Sequence, residues 1–183
     1  MSEARGGNKT KIVKKCITRL FKNCRHPKFT FGILRLLIPE ADKERGNYGL
    51  KEKALARLIC VSLSLDKGAF DRLYHYKNPN YHEPGHGIGD FSICVEDVTK
   101  HYFKPTSTLT VNRLNELLDQ LADNNIEQKP TFITLINSTN ASEFKWIIRI
   151  ILKDLKLNIK NEVVLSAYHP DAVEFNMLNP NLE

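Results

Sequence analysis

Apolar residues recur every three to four positions through most of this chain, which is the spacing of helices with one buried face. In residues 11–21, for example, six apolar side chains from Ile12 to Phe21 are interspersed with lysines. The pattern predicts helices over residues 11–21, 50–63, 66–74, 110–122, 130–136, 141–157 and 161–168. Residues 29–38 form a short, very apolar segment that Pro39 stops, and residues 91–102 fit either a helix or a strand. The chain is therefore predicted to be all-α.

Capping residues mark several of these helix starts. Asp66, Thr110 and Asn140 each precede a helical pattern and carry a side-chain oxygen that can accept from the first free amides. Asn140 is followed three residues later by Glu143, as in a capping box. Residues 1–10 are predicted to be a disordered basic tail and residues 77–90 an exposed loop, because turn-forming residues concentrate there. Residues 11–183 then form one helical domain, a size usual for a single domain.

The predicted helix over residues 141–157 is the most informative about function. On a helical wheel, Lys145, Arg149, Lys153 and Lys156 fall within one narrow sector, and apolar residues from Trp146 to Leu157 fill most of the rest. A helix that is apolar nearly all round is buried, with solvent along one edge. That edge is basic, and two interpretations stay open: lysine stems that cover the core while their charges remain hydrated, or a surface for an anionic partner.

The next turn favours the anionic partner. Asn158 suits a left-handed turn position, and the helix predicted from Asn161 presents free backbone amides at its N-terminus, flanked by Lys156 and Lys160. Free amides, a positive helix dipole end and two ammonium groups suit a phosphate. The helix pair is therefore predicted to hold a nucleic-acid backbone without reading bases.

Net charge adds a second basic segment. The chain carries +6 overall, but residues 1–30 carry +8 and the remaining 153 residues carry −2. A basic arm of this kind binds nucleic acid or anionic membrane, or is simply a solvated tail. No apolar run is long enough to span a membrane, and no secretory signal is present. Four cysteines without a CxxC pair indicate reduced thiols in the nucleus or cytosol.

Two motif matches lack the local structure that their chemistry requires. His82-Glu83-Pro84-Gly85-His86 fits the HExxH zinc pattern, but Pro84 and Gly85 break the helix that the pattern needs. The glycines at 85, 87 and 89 have neither the preceding strand nor the spacing of a dinucleotide loop. No metal site and no catalytic residues are predicted.

A family resemblance is carried by several ordered blocks. Residues 145–158 (KWIIRIILKDLKLN), 38–52 (IPEADKERGNYGLKE), 89–91 (GDF), 109–122 (LTVNRLNELLDQLA) and 169–172 (HPDA) resemble the N-terminal DNA-binding domain of ATP-dependent DNA ligases, most of all the ligase IV branch. The resemblance covers residues 33–183. It implies a compact multi-helix domain that grips nicked or broken duplex DNA across the minor groove during non-homologous end joining in the nucleus.

The resemblance implies DNA contact at Arg149, Lys153, Lys156 and Lys160. Together with Lys145, Asn158 and Asn161 of the same helix pair, the predicted DNA-binding residues are Lys145, Arg149, Lys153, Lys156, Asn158, Lys160 and Asn161. Asn158 departs from the family, which usually has glycine at that position. ATP and Mg²⁺ belong to the family's catalytic domain, so no cofactor is expected in this chain.

Catalysis by the chain alone is not expected, because the Lys-x-Asp-Gly motif by which ligases adenylate themselves is absent. The chain resembles a domain truncated at its C-terminus. End-joining proteins such as the nuclease Artemis are candidate partners through the N-terminal helices, although Phe29, Phe31 and Leu34 there are expected to be core residues. Two alternatives stay open: an all-α scaffold that docks a repair partner, and an inactive relic of a ligase.

Overall fold

The computed structural model describes residues 2–24, 26–82 and 89–178. Within these ranges the chain is all-α, as predicted, with ten α-helices and two short 3-10 segments at Pro79–Tyr81 and Lys100–Tyr102. The helices are α1 Ser2–Asn23, α2 Pro27–Leu37, α3 Glu52–Leu63, α4 Lys67–Tyr74, α5 Phe91–Thr99, α6 Val111–Ala122, α7 Gln128–Ser138, α8 Ala141–Ile151, α9 Asn161–Tyr168 and α10 Ala172–Leu178. They divide into two compact units.

The first unit comprises residues 1–44 and 155–183, and so joins the two ends of the sequence. Helix α1 packs against α9, with the Phe21 and Tyr168 rings edge to face at 5.1 Å between centroids. The buried side chains of this unit include Ile17, Ile33, Leu34, Val164 and Leu165. The apolar spacing of α1 and α9 thus produces a shared core between segments more than 130 residues apart in sequence.

The second unit, Arg45–Asp154, contains α3 to α8. Phe144 of α8 lies at its centre, fully buried, with ring centroids 5.6 Å from Phe132 of α7 and 4.9 Å from Phe103. Aromatic pairs at these separations add to the stabilisation from buried area. Helix α5 packs along α8 and settles the ambiguity over residues 91–102, because Phe91–Thr99 is helical.

The predicted N-caps are confirmed. Asp66 accepts from the Ala69 amide at 2.7 Å, Thr110 from Arg113 at 3.2 Å and Asn140 from Glu143 at 2.9 Å. Asp90, which was not predicted as a cap, caps α5 through the Ser92 amide at 2.9 Å. Side-chain caps of this kind satisfy amides that the helix itself leaves free.

Several predicted helix bounds are wrong. Helix α1 begins at Ser2 and not at Lys11, α7 begins at Gln128 two residues before Pro130, and α10 follows the helix that was predicted to be last. The division of the chain into a tail and one domain stays a prediction. The largest correction concerns residues 141–157, because α8 ends at Ile151.

A buried arginine ties the loop before α3 to α6. Arg45 is only 2% exposed, and its Nε donates to Asp119 Oδ1 at 2.7 Å. Its Nη2 donates to Asn115 Oδ1 at 2.7 Å. Burying a cation is costly unless it is paired and hydrogen-bonded. These contacts explain how Arg45, inside one of the family-like sequence blocks, is accommodated.

Candidate nucleic-acid interface

The two predicted basic residues that lie within α8 are held by carboxylates. Lys145 Nζ lies 2.6 Å from Glu96 Oε2, and Arg149 Nη2 lies 3.1 Å from Asp90 Oδ2. Arg149 Nε also donates to Ser92 Oγ at 2.8 Å. The edge of α8 is therefore not a free basic edge: it is a row of charge pairs with α5.

Both carboxylates are adapted to the ionised form. Burial raises the pKa of Asp90. The Ser92 hydroxyl, the Arg149 charge and the backbone amides of Ser92 and Ile93 lower it by more, so the pKa lies below its usual range. Burial likewise raises the pKa of Glu96, and hydrogen bonds from Lys145 and Ser142 outweigh it. Charge-assisted hydrogen bonds favour the charged form of the acceptor. At neutral pH these carboxylates are ionised and shield part of the Lys145 and Arg149 charge.

Trp146 corrects the expectation of a helix buried nearly all round. Its side chain is 40% exposed, and the Arg149 guanidinium lies 4.8 Å from the centre of its ring. Phe144, Ile147 and Ile148 form the buried face instead. The solvent side of α8 thus presents an aromatic ring stacked with a cation, next to the charge pairs.

Lys153 lies just after α8, at the position where the backbone leaves the helical conformation. Its φ is +55°, its amide donates to Ile150 O, and the Asp154 amide donates to Arg149 O, each at 3.0 Å. These two bonds define a Schellman motif with Lys153 at the left-handed position, where glycine is usual. The helical wheel that placed Lys153 and Lys156 in the same sector as Arg149 therefore does not apply to either residue.

The remaining predicted residues belong to the first unit. Lys156, Asn158 and Lys160 are exposed, and Asn161 is the first residue of α9. Asn158 has φ +53°, as predicted, and Lys156 has φ +56°, which was not predicted. The backbone therefore turns sharply twice within three residues just before α9.

The N-terminus of α9 has the predicted open character. Its N-cap residue is Lys160, whose side chain makes no capping hydrogen bond because an ammonium group has no acceptor. Glu162 in the first turn places one carboxylate near the positive end of the helix dipole. The segment 156–161 combines exposed cations with a helix start that no N-cap side chain covers.

The predicted residues therefore separate into two groups. Lys145, Arg149 and Lys153 lie in the second unit; Lys156, Asn158, Lys160 and Asn161 lie in the first. The sequence reasoning missed Asp90, Ser92 and Glu96. The signal in the sequence is Gly89-Asp90-Phe91, where an aspartate directly precedes an apolar helical segment, as N-cap residues do.

The remaining features examined in the sequence are the metal-binding motif, the cysteines and possible membrane spans. Within the described residues, no group of three or more His, Cys, Asp or Glu side chains is placed to hold a metal. Residues 83–86 of the HExxH match lie outside the described ranges. Cys60 and Cys94 are buried, and burial raises the pKa of each thiol to about 11. Cys16 is exposed. No described helix is both long and apolar enough to cross a membrane.

The described residues form an all-helical domain of the DNA ligase N-terminal class, as comparison with known proteins shows. The family described as DNA ligase N terminus matches residues 2–169. Relatives named DNA ligase 4 include those of Arabidopsis thaliana, 41% identical over 82% of this chain, Gallus gallus, 36% over 84%, and Homo sapiens, 37% over 84%. The chain belongs to the DNA ligase N-terminal family, and it spans 13% to 17% of the length of these relatives.

Proposed function

We propose that this chain is the DNA-binding domain of a ligase IV-like, ATP-dependent DNA ligase, and that it holds duplex DNA at breaks through backbone and minor-groove contacts. The observation that carries the proposal is the segment 156–161, whose exposed Lys156 and Lys160 lead into an α9 N-terminus without a side-chain cap. Amides at a helix N-terminus together with lysines favour phosphate oxygens. The segment lies inside the region that matches the family.

The seven proposed contacts contribute unequally. Lys156, Asn158, Lys160 and Asn161 offer ammonium groups, a side-chain amide and backbone donors on an exposed turn. Lys153 places a cation at the end of α8. Lys145 and Arg149 already pair with Glu96 and Asp90, so a phosphate gains less from them. We expect about four phosphates to be neutralised, which gives a slope near −3.6 for log K against log salt.

We propose that the domain acts in double-strand break repair by non-homologous end joining in the nucleus. This role is supported by the resemblance to the ligase IV branch and by relatives named DNA ligase 4. In this proposal ATP and Mg²⁺ serve the catalytic domain of the ligase, because this chain has no Lys-x-Asp-Gly motif. In this proposal the chain holds and positions the DNA, and the catalytic domain carries out the chemical steps.

The test is fluorescence anisotropy of the full chain with a labelled nicked duplex across a salt series. The variant Lys156→Glu/Lys160→Glu reverses two charges at the proposed site. Lys104→Glu/Lys129→Glu reverses two exposed lysines elsewhere and serves as the matched control. We expect a steep salt dependence, loss of binding in the first variant and near-normal binding in the control. Equal loss in both variants would contradict a specific site.

A protein-docking role is a second candidate because apolar residues are exposed on α1. Ile12 is 57% exposed and Leu20 is 41% exposed. Near α2, Leu34 is a core residue, as predicted, whereas Phe29 and Phe31 are only half-buried and leave part of their rings open to an end-joining partner such as Artemis. The variant Ile12→Ser/Leu20→Ser tests this role: it weakens capture of an end-joining protein while DNA affinity is unchanged.

A further inference from the structure

A pocket in the second unit is lined by none of the proposed duplex-binding residues. It has a volume of about 340 Å³ and is formed where the first turn of α3 meets the end of α4 and the turn that follows. Its lining includes Glu52, Lys53, Tyr74, His75, Tyr76 and Lys77. A volume of about 300 Å³ or more is within the range of small-ligand sites. Three of the six tyrosines of the chain fall within residues 74–81.

The aromatic walls of this tyrosine–lysine pocket are held in place by packing. The Tyr76 ring lies edge to face with the buried Phe91 ring at 5.3 Å, and its hydroxyl donates to Glu52 Oε1 at 3.2 Å. The His75 ring stacks on Tyr81 with centroids 4.4 Å apart. A site whose rings are already positioned loses little conformational entropy when a flat ligand binds.

The cations of the pocket are arranged over the rings. Lys53 Nζ lies 4.8 Å from the centre of the Tyr74 ring, and Lys77 Nζ lies 5.3 Å from the centre of the Tyr76 ring. Both lysines are exposed. A cation–π contact at an exposed site is weaker than the stacking of a nucleobase on an aromatic ring. A base can therefore take a ring face while the flexible lysine turns to the attached phosphate.

The combination of rings and lysines selects the class of ligand. Aromatic faces with adjacent ammonium groups suit a base joined to a phosphate. A cationic ligand such as a methylated lysine also favours aromatic cages, but the two lysines of this pocket repel it. Glu52 can accept from an exocyclic amino group, which adenine has and thymine lacks. A base within a duplex is stacked on its neighbours and does not offer its faces, so the ligand is an unpaired base.

We propose that the tyrosine–lysine pocket binds an unpaired nucleotide of a single-stranded DNA end, with the base on the tyrosine rings and its phosphate beside Lys53 and Lys77. This inference rests on the proposed function, since it adds an end-sensing site to a domain that grips duplex DNA. It assigns to this chain a preference for ends with a single-stranded overhang. Among overhangs, adenine is preferred to thymine.

The first experiment compares blunt duplex with the same duplex carrying a three-adenine overhang, by anisotropy with the full chain. We expect the overhang to bind about tenfold more tightly, in line with base–aromatic stacking. Lys53→Glu/Lys77→Glu and the uncharged change Tyr74→Leu should each remove this preference. Lys104→Glu/Lys129→Glu, with the same charge change, should keep it. Circular dichroism checks that each variant is folded.

The outcomes separate the two proposals. Blunt-end binding without any overhang preference would overturn the pocket proposal and leave the duplex-binding function standing. Preference retained in both pocket variants would also overturn it. If neither DNA binds, the proposed function fails. Whether the pocket binds an unpaired nucleotide is then tested by NMR titration of the full chain with single-stranded oligodeoxyadenylate.

In the NMR titration, we expect amide shifts in residues 74–78 that are larger with oligodeoxyadenylate than with oligodeoxythymidylate. Absence of these shifts with oligodeoxyadenylate would overturn the proposal. A trimethyl-lysine peptide that shifts the same amides where the oligonucleotide does not would assign the pocket to a cationic peptide instead.

Discussion

Arg149 on α8 reaches the carboxylate that caps α5: its Nη2 lies 3.1 Å from Asp90 Oδ2. Asp90 thus serves two helices at once, because the same side chain accepts from the Ser92 amide at 2.9 Å. The pair links the conformation of residues 89–92 to the solvent face of α8. It also means that a residue chosen from sequence as a phosphate ligand is already partly neutralised within its own unit.

Removing the carboxylates should strengthen DNA binding. In Asp90→Asn/Glu96→Gln, Arg149 and Lys145 keep hydrogen-bonding neighbours but lose the opposing charges. We expect affinity for nicked duplex to rise about threefold and the salt slope to become steeper, because up to two more cations displace counterions. Anisotropy across salt measures both. An unchanged slope with unchanged affinity would show that Lys145 and Arg149 do not face the DNA.

Acid should weaken the second unit through the same carboxylates. The pKa values of Asp90 and Glu96 are lowered in the folded chain, so their stabilisation is complete above the unfolded values near 4 and is lost as pH falls through the folded values. Urea unfolding of wild type at pH 7, 4.5 and 3 should show this loss. Asp90→Asn/Glu96→Gln should show a shallower decline, starting from a free energy of unfolding about 1 kcal/mol lower. Parallel declines in the two proteins would refute the assignment.

Glycine at position 153 should stabilise the chain. Lys153 has φ +55° at the left-handed position of a Schellman motif, and a side chain there costs roughly 1 kcal/mol relative to glycine. Lys153→Gly should therefore raise the free energy of unfolding by about 0.5 kcal/mol, after the entropy of glycine in the unfolded state is allowed for. Lys100→Gly, at a right-handed helical position with φ −52°, is the control and should not stabilise. Chemical denaturation compares the two.

Breaking the Arg35–Asp42 pair should be costly. Arg35 Nε donates to Asp42 Oδ2 at 2.8 Å, and the Asp42 side chain is only 3% exposed. Arg35→Leu removes this cation from beside a buried carboxylate, and removal of one partner of a buried pair costs about 3 kcal/mol. Arg113→Ala breaks the exposed pair with Glu116 and should cost less than about 0.5 kcal/mol. Similar losses in the two variants would contradict this difference.

The thiols should differ sharply in reactivity. Burial raises the pKa of Cys60 and Cys94 to about 11, so at pH 8 almost none of either is thiolate, the reactive form. Cys16 is exposed. A disulfide exchange reagent should label Cys16 first in the native chain, and Cys60 and Cys94 only after denaturation. Peptide mapping by mass spectrometry assigns the order, and early labelling of Cys94 would show that its surroundings open.

Helix type and several helix starts could be read from the sequence because they depend on neighbouring residues. Periodic apolar positions predicted α3, α6 and α8, and Asp66, Thr110 and Asn140 cap helices through amides only three residues away. The left-handed turn at Asn158 was likewise predictable, since its side chain tolerates that conformation. The family resemblance supplied the class of protein.

The tertiary structure decided what the basic residues touch. No local pattern indicates that Arg149 meets Asp90, 59 residues earlier, or that Lys145 meets Glu96, because ion pairs between helices depend on how those helices pack. The end of α8 at Ile151 could not be predicted from the sequence either, because lysine rarely takes the left-handed conformation that Lys153 adopts. Sequence alone determined the elements and the family; packing determined that Lys145 and Arg149 pair with carboxylates from another part of the chain.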